Sequence, residues 1–452
     1  MFTPPYPAPQ RSKAKAFRRF LTSWNSWIHV LFEKSYTMKM GEVRLPKLDF
    51  FIANDLSIVD EVMDDRQRSY PKHEFLQELL EPLIGNSVFS ANGEDWDHQR
   101  TMVNPAFAHT GLKGSFPVMK AAVDDLVSGM LQSDLSRPVC IEPLMTHVTA
   151  DIIFRTLFSL ELNAEEADRI YKAFHNFQRH IQPGAILRLY GLPMFGFKTR
   201  AIRAAGHIHA VFEPAVRARY DAYHDRGDAG PPDILRALLV ARHPETGAAF
   251  DLRQIINQVS TVFLAGHETS ASALSWALYL LAECPHLQDA VIEEIGTEPI
   301  SFETLKGAGT LRNIFRETLR LYPPVSFFLR AVTRPTEMRG KKMRPGAMIA
   351  ISPWLIQRNK ENFPCPHAFD PGRFADPEQG DACRNAYLPF GKGPRMCIGA
   401  GFANQEAMLV LGSIVQAFRL SYPDGPKPQP VSRLTLRSEK GISLMLSPRN
   451  TH

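Results

Sequence analysis

Long apolar runs, closely paired cysteines, dinucleotide-binding glycine fingerprints and blocks of like charge are all missing from this 452-residue chain. No stretch approaches the ~20 apolar residues that cross a bilayer, and residues 1–10 are proline-rich rather than a secretory leader. The five cysteines (Cys140, Cys284, Cys365, Cys383 and Cys397) are odd in number and widely spaced. That pattern excludes a disulfide framework and points to a reducing, cytoplasmic compartment. The net charge of +5 is spread thinly. Nucleic acid is therefore not an expected partner, whereas an acidic protein or an anionic membrane is compatible with it. No repeat of 20–50 residues stands out. Length alone allows about three domains, and 44% hydrophobic residues can fill a large core.

What is present centres on Phe390-Gly391-Lys392-Gly393-Pro394-Arg395-Met396-Cys397-Ile398-Gly399. One thiol sits among glycines, follows a cation, and opens an apolar helical run (Phe402, Ala403, Met408, Leu409, Val410, Leu411). A buried structural cysteine is one reading, since a free thiol behaves as a small hydrophobe. The glycines favour another, because they clear space for a large flat group near the backbone. The helix N-terminus and Arg395 are expected to lower the thiol pKa and favour thiolate, the metal-ligating form. A lone thiolate in an open-sided apolar site suits haem iron better than zinc, which wants four ligands.

Towards the N-terminus, Phe17, Phe20, Leu21, Trp24, Trp27, Ile28 and Leu31 recur at helical spacing beside Arg11, Lys13, Lys15, Arg18 and Arg19. They predict one amphipathic helix. An interfacial membrane helix and a stripe packed on the body both fit, and packing is favoured because any folded domain needs such helices. Residues 36–54 read as two strands about Gly41-Glu42, and Asp55 as the cap of a helix over 56–63. Residues 71–93 are apolar with breaks and include Phe75. Trp96 and Arg100 share a helix face, where they either bind a carboxylate or form an aromatic–cation pair. Residues 115–245 are mostly helical, with breaks at Pro138, Pro183-Gly184 and 227–232. The apolar stretch 181–197 reads as a loop that must pack on something, such as its own core.

Residues 251–284 carry the longest helical pattern. Glu268 alone would cost about 3 kcal/mol at a bilayer centre, so a buried central helix is expected rather than a membrane span. Gly266 weakens that helix by roughly 1 kcal/mol relative to alanine. Thr269 can bond back to the carbonyl of Ala265 and bend it. The result is a notch with a hydroxyl and an acid. Further on, Glu317 and Arg320 share a face, Tyr322-Pro323-Pro324 ends their helix, and Phe369-Asp370-Pro371-Gly372-Arg373-Phe374 follows. Residues 431–446 predict a hairpin around Ser438-Glu439-Lys440-Gly441.

The cysteine run matches the haem-binding signature Phe-x-x-Gly-x-Arg-x-Cys-x-Gly at every fixed position, so the chain resembles the cytochrome P450 family over roughly residues 36–446. The resemblance implies a mainly α fold with small β-sheets, a triangular helical prism enclosing haem. It implies one haem-binding monooxygenase domain over 36–452, preceded by a proline-rich, basic segment with an amphipathic helix at 1–35. Cys397 would be the iron ligand. Trp96, Arg100 and Arg330 would hold the propionates, and Arg395, Phe390, Gly399 and Ala265 would be further cofactor-binding residues. Thr269 would steady dioxygen and Glu268 would relay protons. Glu317, Arg320 and Arg373 would be a structural ion network. Phe75, Val262, Val325, Phe327, Phe328 and Leu436 would face substrate.

The implied function is insertion of one atom of O2 into a lipophilic small molecule of the fatty acid, terpene, steroid or hydrocarbon class. The implied cofactor is haem b, without bound flavin. Electrons would come from a ferredoxin or flavodoxin and its NAD(P)H-dependent reductase, drawn by cations such as Lys392. The expected protein is a cytoplasmic monomer, and 11–31 and 186–197 are its candidate peripheral membrane contacts. The alternatives are a peroxide-dependent peroxygenase or isomerase, and a non-catalytic haem sensor.

Overall fold

The computed structural model describes residues 2–449, except 23, 25, 46–47, 66–67, 108, 163, 194–195 and 377–382. Residues 2–10 form a strap over distant parts of the chain. Phe369 N–H donates to Phe2 O (2.9 Å), the Tyr322 hydroxyl donates to Pro5 O (2.7 Å), and Tyr6 stacks on His367 at 4.2 Å. The helix expected over 17–31 splits into α1 (Lys13–Thr22) and a 3-10 turn, Ile28–Val30. Trp27 N–H donates to Ser432 O (2.9 Å) and Ser26 Oγ accepts from Ser432 N–H (3.1 Å), which ties 26–29 to the chain's tail. The stripe divides accordingly. Ile28 and Leu31 are buried, but Phe17, Leu21 and Trp24 are 59%, 61% and 42% exposed, so the expected packing fails for the first half.

The helices that follow are α2 (Leu56–Met63), α3 (Glu74–Ile84), α4 (Gly93–Val103), α5 (His109–Leu131), α6 (Ile141–Phe158), α7 (Ala164–Leu189), α8 (Phe197–Arg226) and α9 (Ile234–Val240). After them come α10 (Leu252–Glu283), α11 (Pro285–Ile295), α12 (Phe302–Gly307), α13 (Gly309–Leu321), α14 (Pro353–Ile356) and α15 (Ala400–Ala417). Asp55 caps α2 as expected, accepting from Ser57 N–H (3.0 Å). Asp251 and Gln254 cap α10 reciprocally, at 2.7 and 2.9 Å. The expected loop over 181–197 is mostly helix. α7 continues through Pro183, where burial of Ile181, Ala185 and Ile186 outweighs the local break. Tyr190 and Leu192 beyond its end are exposed, and Met194 and Phe195 lie outside the described residues.

The strands are short: β1 (Met40–Leu45), β2 (Leu48–Ala53), β3 (Val139–Cys140), β4 (Phe328–Ala331), β5 (Thr336–Met338) and β6 (Lys341–Met343). Then come β7 (Met348–Ile351), β8 (Phe418–Ser421), β9 (Pro430–Ser432), β10 (Leu436–Ser438) and β11 (Ser443–Pro448). The largest sheet has the order β1-β2-β7-β4, with only β2 and β7 parallel. Two predicted turns are displaced. β1 and β2 pair from Met40 opposite Ala53 to Leu45 opposite Leu48, and Gly41 lies inside β1 opposite Ile52, where a Cβ would strike the Met38 side chain at 2.6 Å. The tail hairpin, β9–β10, turns at Arg433–Thr435, and Ser438–Gly441 instead redirects the chain into β11, which pairs with β3 and β8. The core runs along α10, whose Trp276 is fully buried and stacked on Tyr322 at 4.0 Å. A second apolar cluster, including Phe51, Val59, Met63 and Ile349, lies under the sheet.

Candidate functional site

Cys397 lies in the loop before α15, and its N–H closes the loop on Phe390 O (2.9 Å). Gly393 is there for a backbone contact rather than for a flat group. Its φ is +71°, and a Cβ would fall 2.2 Å from Met63 O at the end of α2. Gly399 has nothing within 4 Å of such an atom. The Cys397 thiol is accessible yet walled by protein on nearly all sides, as in a deep recess. Burial pushes its pKa up, against the pull of the Gly399 N–H, Arg100 and Lys72. This corrects the expected lowering, because Arg395 is engaged elsewhere. Its Nη1 donates to Ala91 O (2.9 Å), its Nη2 to Asn92 Oδ1 (3.0 Å), and its guanidinium lies 4.3 Å over the Trp96 ring. A metal ion bound to the sulfur would deprotonate it outright.

Around that recess stand four cations: Arg100 from α4, Arg330 from β4, Arg395 from the loop, and Lys72, which the sequence reading missed. Lys72 pairs its backbone with Arg330 in an isolated bridge. Its N–H donates to Asn92 Oδ1 (3.0 Å), and its ammonium donates to Phe89 O and lies 3.6 Å over the Phe89 ring. Burial lowers all four, and for Lys72 and Arg395 the neighbouring cations add to it. Lys72 falls well below its ordinary value, and Arg330 and Arg395 come down to about 10. Among the described residues none of the four has a carboxylate within ion-pair distance. Asp65 and Asp97 act on Arg395 only from farther off, as Asp65 does on Arg330. Arg330 is buried and the other three are half-buried, and cations left this short of counter-charge call for an anionic ligand. Two carboxylates on a flat apolar body, with a metal for the thiolate, meet that need, so the residues fit haem.

On α10 the neighbouring residues face different surroundings. Ala265 is exposed in the middle of an otherwise buried helix, and half-buried Thr269 donates to Ala265 O (2.7 Å). Gly266 admits α6, since a Cβ would meet Ile153 Cγ1 at 2.9 Å. Glu268 is buried and engaged elsewhere, on Gln178 of α7 and on Thr435 and Arg437 of the tail hairpin. Burial alone would raise its carboxyl. Arg437 beside it, with Thr435 and His267, holds it below its usual value.

Behind the loop, buried Glu317 accepts from Arg320 Nε (2.7 Å) and Nη2 (2.8 Å) and from Arg373 Nε (3.1 Å). Arg320 Nη1 and Nη2 also donate to Gln357 O, Pro366 O and Ala368 O, fixing the segment that leads to Cys397. The residues expected to face substrate do not share one wall. Phe75 and Val262 are buried and Val325 is half-buried. Phe327 packs on the main core, whereas Phe328, one strand position on, packs on the second cluster beside Gly391. Leu436 is fully enclosed, its carbonyl accepting from Ser272 and its N–H donating to Pro324 O (2.9 Å). It is core, and the partly buried Leu434 occupies the hairpin turn instead.

A mainly helical fold with one recessed thiol, a cationic rim for two carboxylates and a threonine notch on a central helix defines a haem-thiolate protein. Comparison with known proteins agrees. A family model for cytochrome P450 matches residues 20–446. Cyclooctatin synthase of Streptomyces melanosporofaciens is 30% identical over 405 residues, covering 87% of this chain and 86% of that protein. Cyclooctat-9-en-7-ol 5-monooxygenase of the same organism is 33% identical over 348 residues, covering 75% and 73%. The crystal structure of the cytochrome P450DA heme domain superposes with a TM-score of 0.82 at 23% identity, covering 100% of this chain and 98% of that one. The chain belongs to the cytochrome P450 family, whose cofactor is haem, and its enzyme class is P450 monooxygenase.

Proposed function

We propose that this protein inserts one atom of O2 into a lipophilic small molecule of the fatty acid, terpene, steroid or hydrocarbon class. The meeting of a recessed thiol with four cations that lack a carboxylate partner among the described residues carries the reading. When bound, haem b supplies the oxidation chemistry. Cys397 would ligate it, Lys72, Arg100, Arg330 and Arg395 would hold its carboxylates, and Trp96 would support Arg395 from below. Phe390, Gly399 and Ala265 would line the faces of the ring. Thr269 holds a hydroxyl over the notch, and Glu268 is the acid from which protons reach it. The names of the two bacterial relatives favour a sparsely oxygenated hydrocarbon skeleton.

Residues 36–452 act as one haem-binding domain and 1–35 as its leading segment. Electrons come from a ferredoxin or flavodoxin with an NAD(P)H-dependent reductase, and the chain holds no flavin of its own. Exposed Met396 and partly exposed Lys392, the latter 2.5 Å from Asp60, present the loop's outer side to that partner. The protein is a cytoplasmic monomer, in keeping with five free cysteines. It touches anionic membrane through 11–31, where exposed Phe17, Leu21 and Trp24 lie beside Arg11, Lys13 and Lys15, and through 186–197. Among the described residues no helix is long and apolar enough to cross a membrane.

The test is a carbon monoxide difference spectrum, then a screen for substrate-induced Soret shifts, then product analysis with NAD(P)H and surrogate redox proteins. Turnover with peroxide but none with the reductase system would install the peroxygenase reading instead. Ligand binding without oxidation of any compound would install the sensor.

A further inference from the structure

Glu268 has more partners than a proton carrier can keep. Its Oε1 accepts from Gln178 Nε2 (2.7 Å), Thr435 Oγ1 (2.5 Å) and Arg437 Nε (3.1 Å), and its Oε2 from Arg437 Nη2 (2.6 Å). Three of these four bonds come from the β9–β10 hairpin and none from Thr269. A carboxylate that accepts this many bonds, two of them from one guanidinium, is held ionised. To hand on a proton it must first lose part of this grip.

A second acid stands beside the same cation. Glu142, in the first turn of α6, accepts from the N–H of Ser438 (3.3 Å), the residue after Arg437. It is half-buried, and Arg437 acts on its charge as it does on that of Glu268. Two acids thus share one half-buried guanidinium, with bonds formed to only one of them. The groups facing this cluster are His267 on α10, Tyr171 and His175 on α7, Cys140 of β3, and Arg433 in the hairpin turn. Tyr171 is 41% exposed, so solvent reaches the cluster from the α7 side.

We propose that Arg437 is a positioning residue that works as a latch between two carboxylates. Docked on Glu268, it keeps that group ionised and turned from Thr269. Moved to Glu142, it releases Glu268 to take a proton from solvent at the Tyr171 side and pass it towards the Thr269 hydroxyl. The carboxylate is regenerated at each cycle, and no electron moves in these steps. The role of the proton rests on the monooxygenase reading, whereas the latch itself does not.

The experiment compares wild-type holoenzyme with Arg437→Met, Arg437→Lys, Glu142→Gln and the double variant Arg437→Met/Glu268→Gln. Infrared difference spectra after a pH jump read protonated carboxyls directly. Arg437→Met should gain a protonated-carboxyl band near neutral pH that the double variant lacks, and Arg437→Lys should restore the wild-type spectrum. Absence of a Glu268-dependent band in Arg437→Met, or the same band in Arg437→Lys, overturns the latch. Glu142→Gln leaves the Glu268 bridge in place and tests the second anchor even if Arg437→Met does not fold. It should lower coupled turnover about tenfold and enlarge the solvent isotope effect, while substrate-induced Soret shifts stay unchanged. Unchanged turnover and isotope effect in Glu142→Gln would also overturn the proposal. Wild-type protein that binds haem but oxidises nothing defeats the functional reading alone, and the infrared result stands independently.

Discussion

Glu406 on α15 is completely enclosed, and neither carboxyl oxygen has a hydrogen-bond partner. The Ser270 hydroxyl of α10 eases its burial without reaching hydrogen-bond geometry, and desolvation pushes the carboxyl up to about 8 from its ordinary 4.5. Below the ordinary value both folded and unfolded chains bind the proton, so pH costs nothing. Between the two values the unfolded chain ionises while the folded one keeps its proton. Stability then falls as pH rises, by ~1.4 kcal/mol per unit, for a total on the order of 5 kcal/mol. Above about 8 the penalty is constant. Glu406→Gln keeps the shape and cannot ionise, but it buries an amide with an unmet donor at about 1–3 kcal/mol. The variant should therefore melt below wild type at about pH 5 and above it at about pH 8. The crossing should amount to a few degrees, since 1 kcal/mol moves the melting temperature of a chain this long by about 1–2 °C. Calorimetric melting temperatures of both proteins across that range are the assay. All other titrating groups cancel in the comparison, so identical pH slopes for the two proteins would refute the reasoning.

Cys397→Ser should abolish the thiolate-dependent band of the reduced carbon monoxide difference spectrum while leaving far-ultraviolet dichroism intact, and a surviving band would remove the sulfur from the site. Lys72→Gln should weaken haem retention about tenfold or more in transfer assays to apomyoglobin, the worth of a charge-assisted bond; unchanged retention would put Lys72 outside the carboxylate set. Glu317→Gln leaves two buried guanidinium groups short of an anion and should cost about 3–5 kcal/mol in urea unfolding, with a loss under ~1 kcal/mol counting against a structural role. Phe17→Ser with Leu21→Ser should cut sedimentation with anionic vesicles and leave the melting temperature unmoved, because both side chains are exposed; undiminished sedimentation would point away from α1.

The parts of the molecule that could be read from the chain are those whose causes are local. Asp251 and Gln254 announce the start of α10, Asp55 that of α2, and the cysteine signature is contiguous. The errors arise where distant partners decide. Gly41-Glu42 and Ser438–Gly441 look like turns, but register is set by Ile52 across β1 and by β3 and β8 against β11. Pro183-Gly184 looks like a break, yet the buried side of α7 carries the helix past it. Lys72 had no motif to mark it, because its place beside Arg330 comes from a backbone bridge between segments over 250 residues apart. Arg437 was equally hidden. Only the true turn of the β9–β10 hairpin brings it to Glu268, and alternation from a buried Leu436 was the one faint hint.

The seat of the N-terminal strap has a kinetic consequence. Tyr322, which holds Pro5, is made 317 residues later, and Phe369, which holds Phe2, later still. Gln10 can already pair with Leu31 and Glu33, but while the ribosome is still at work residues 2–6 have nowhere to dock. They close over the assembled body only near the end of folding, as expected for contacts of such long sequence separation. A bulky fusion at that end would hinder this last step, so a purification handle belongs at the other terminus.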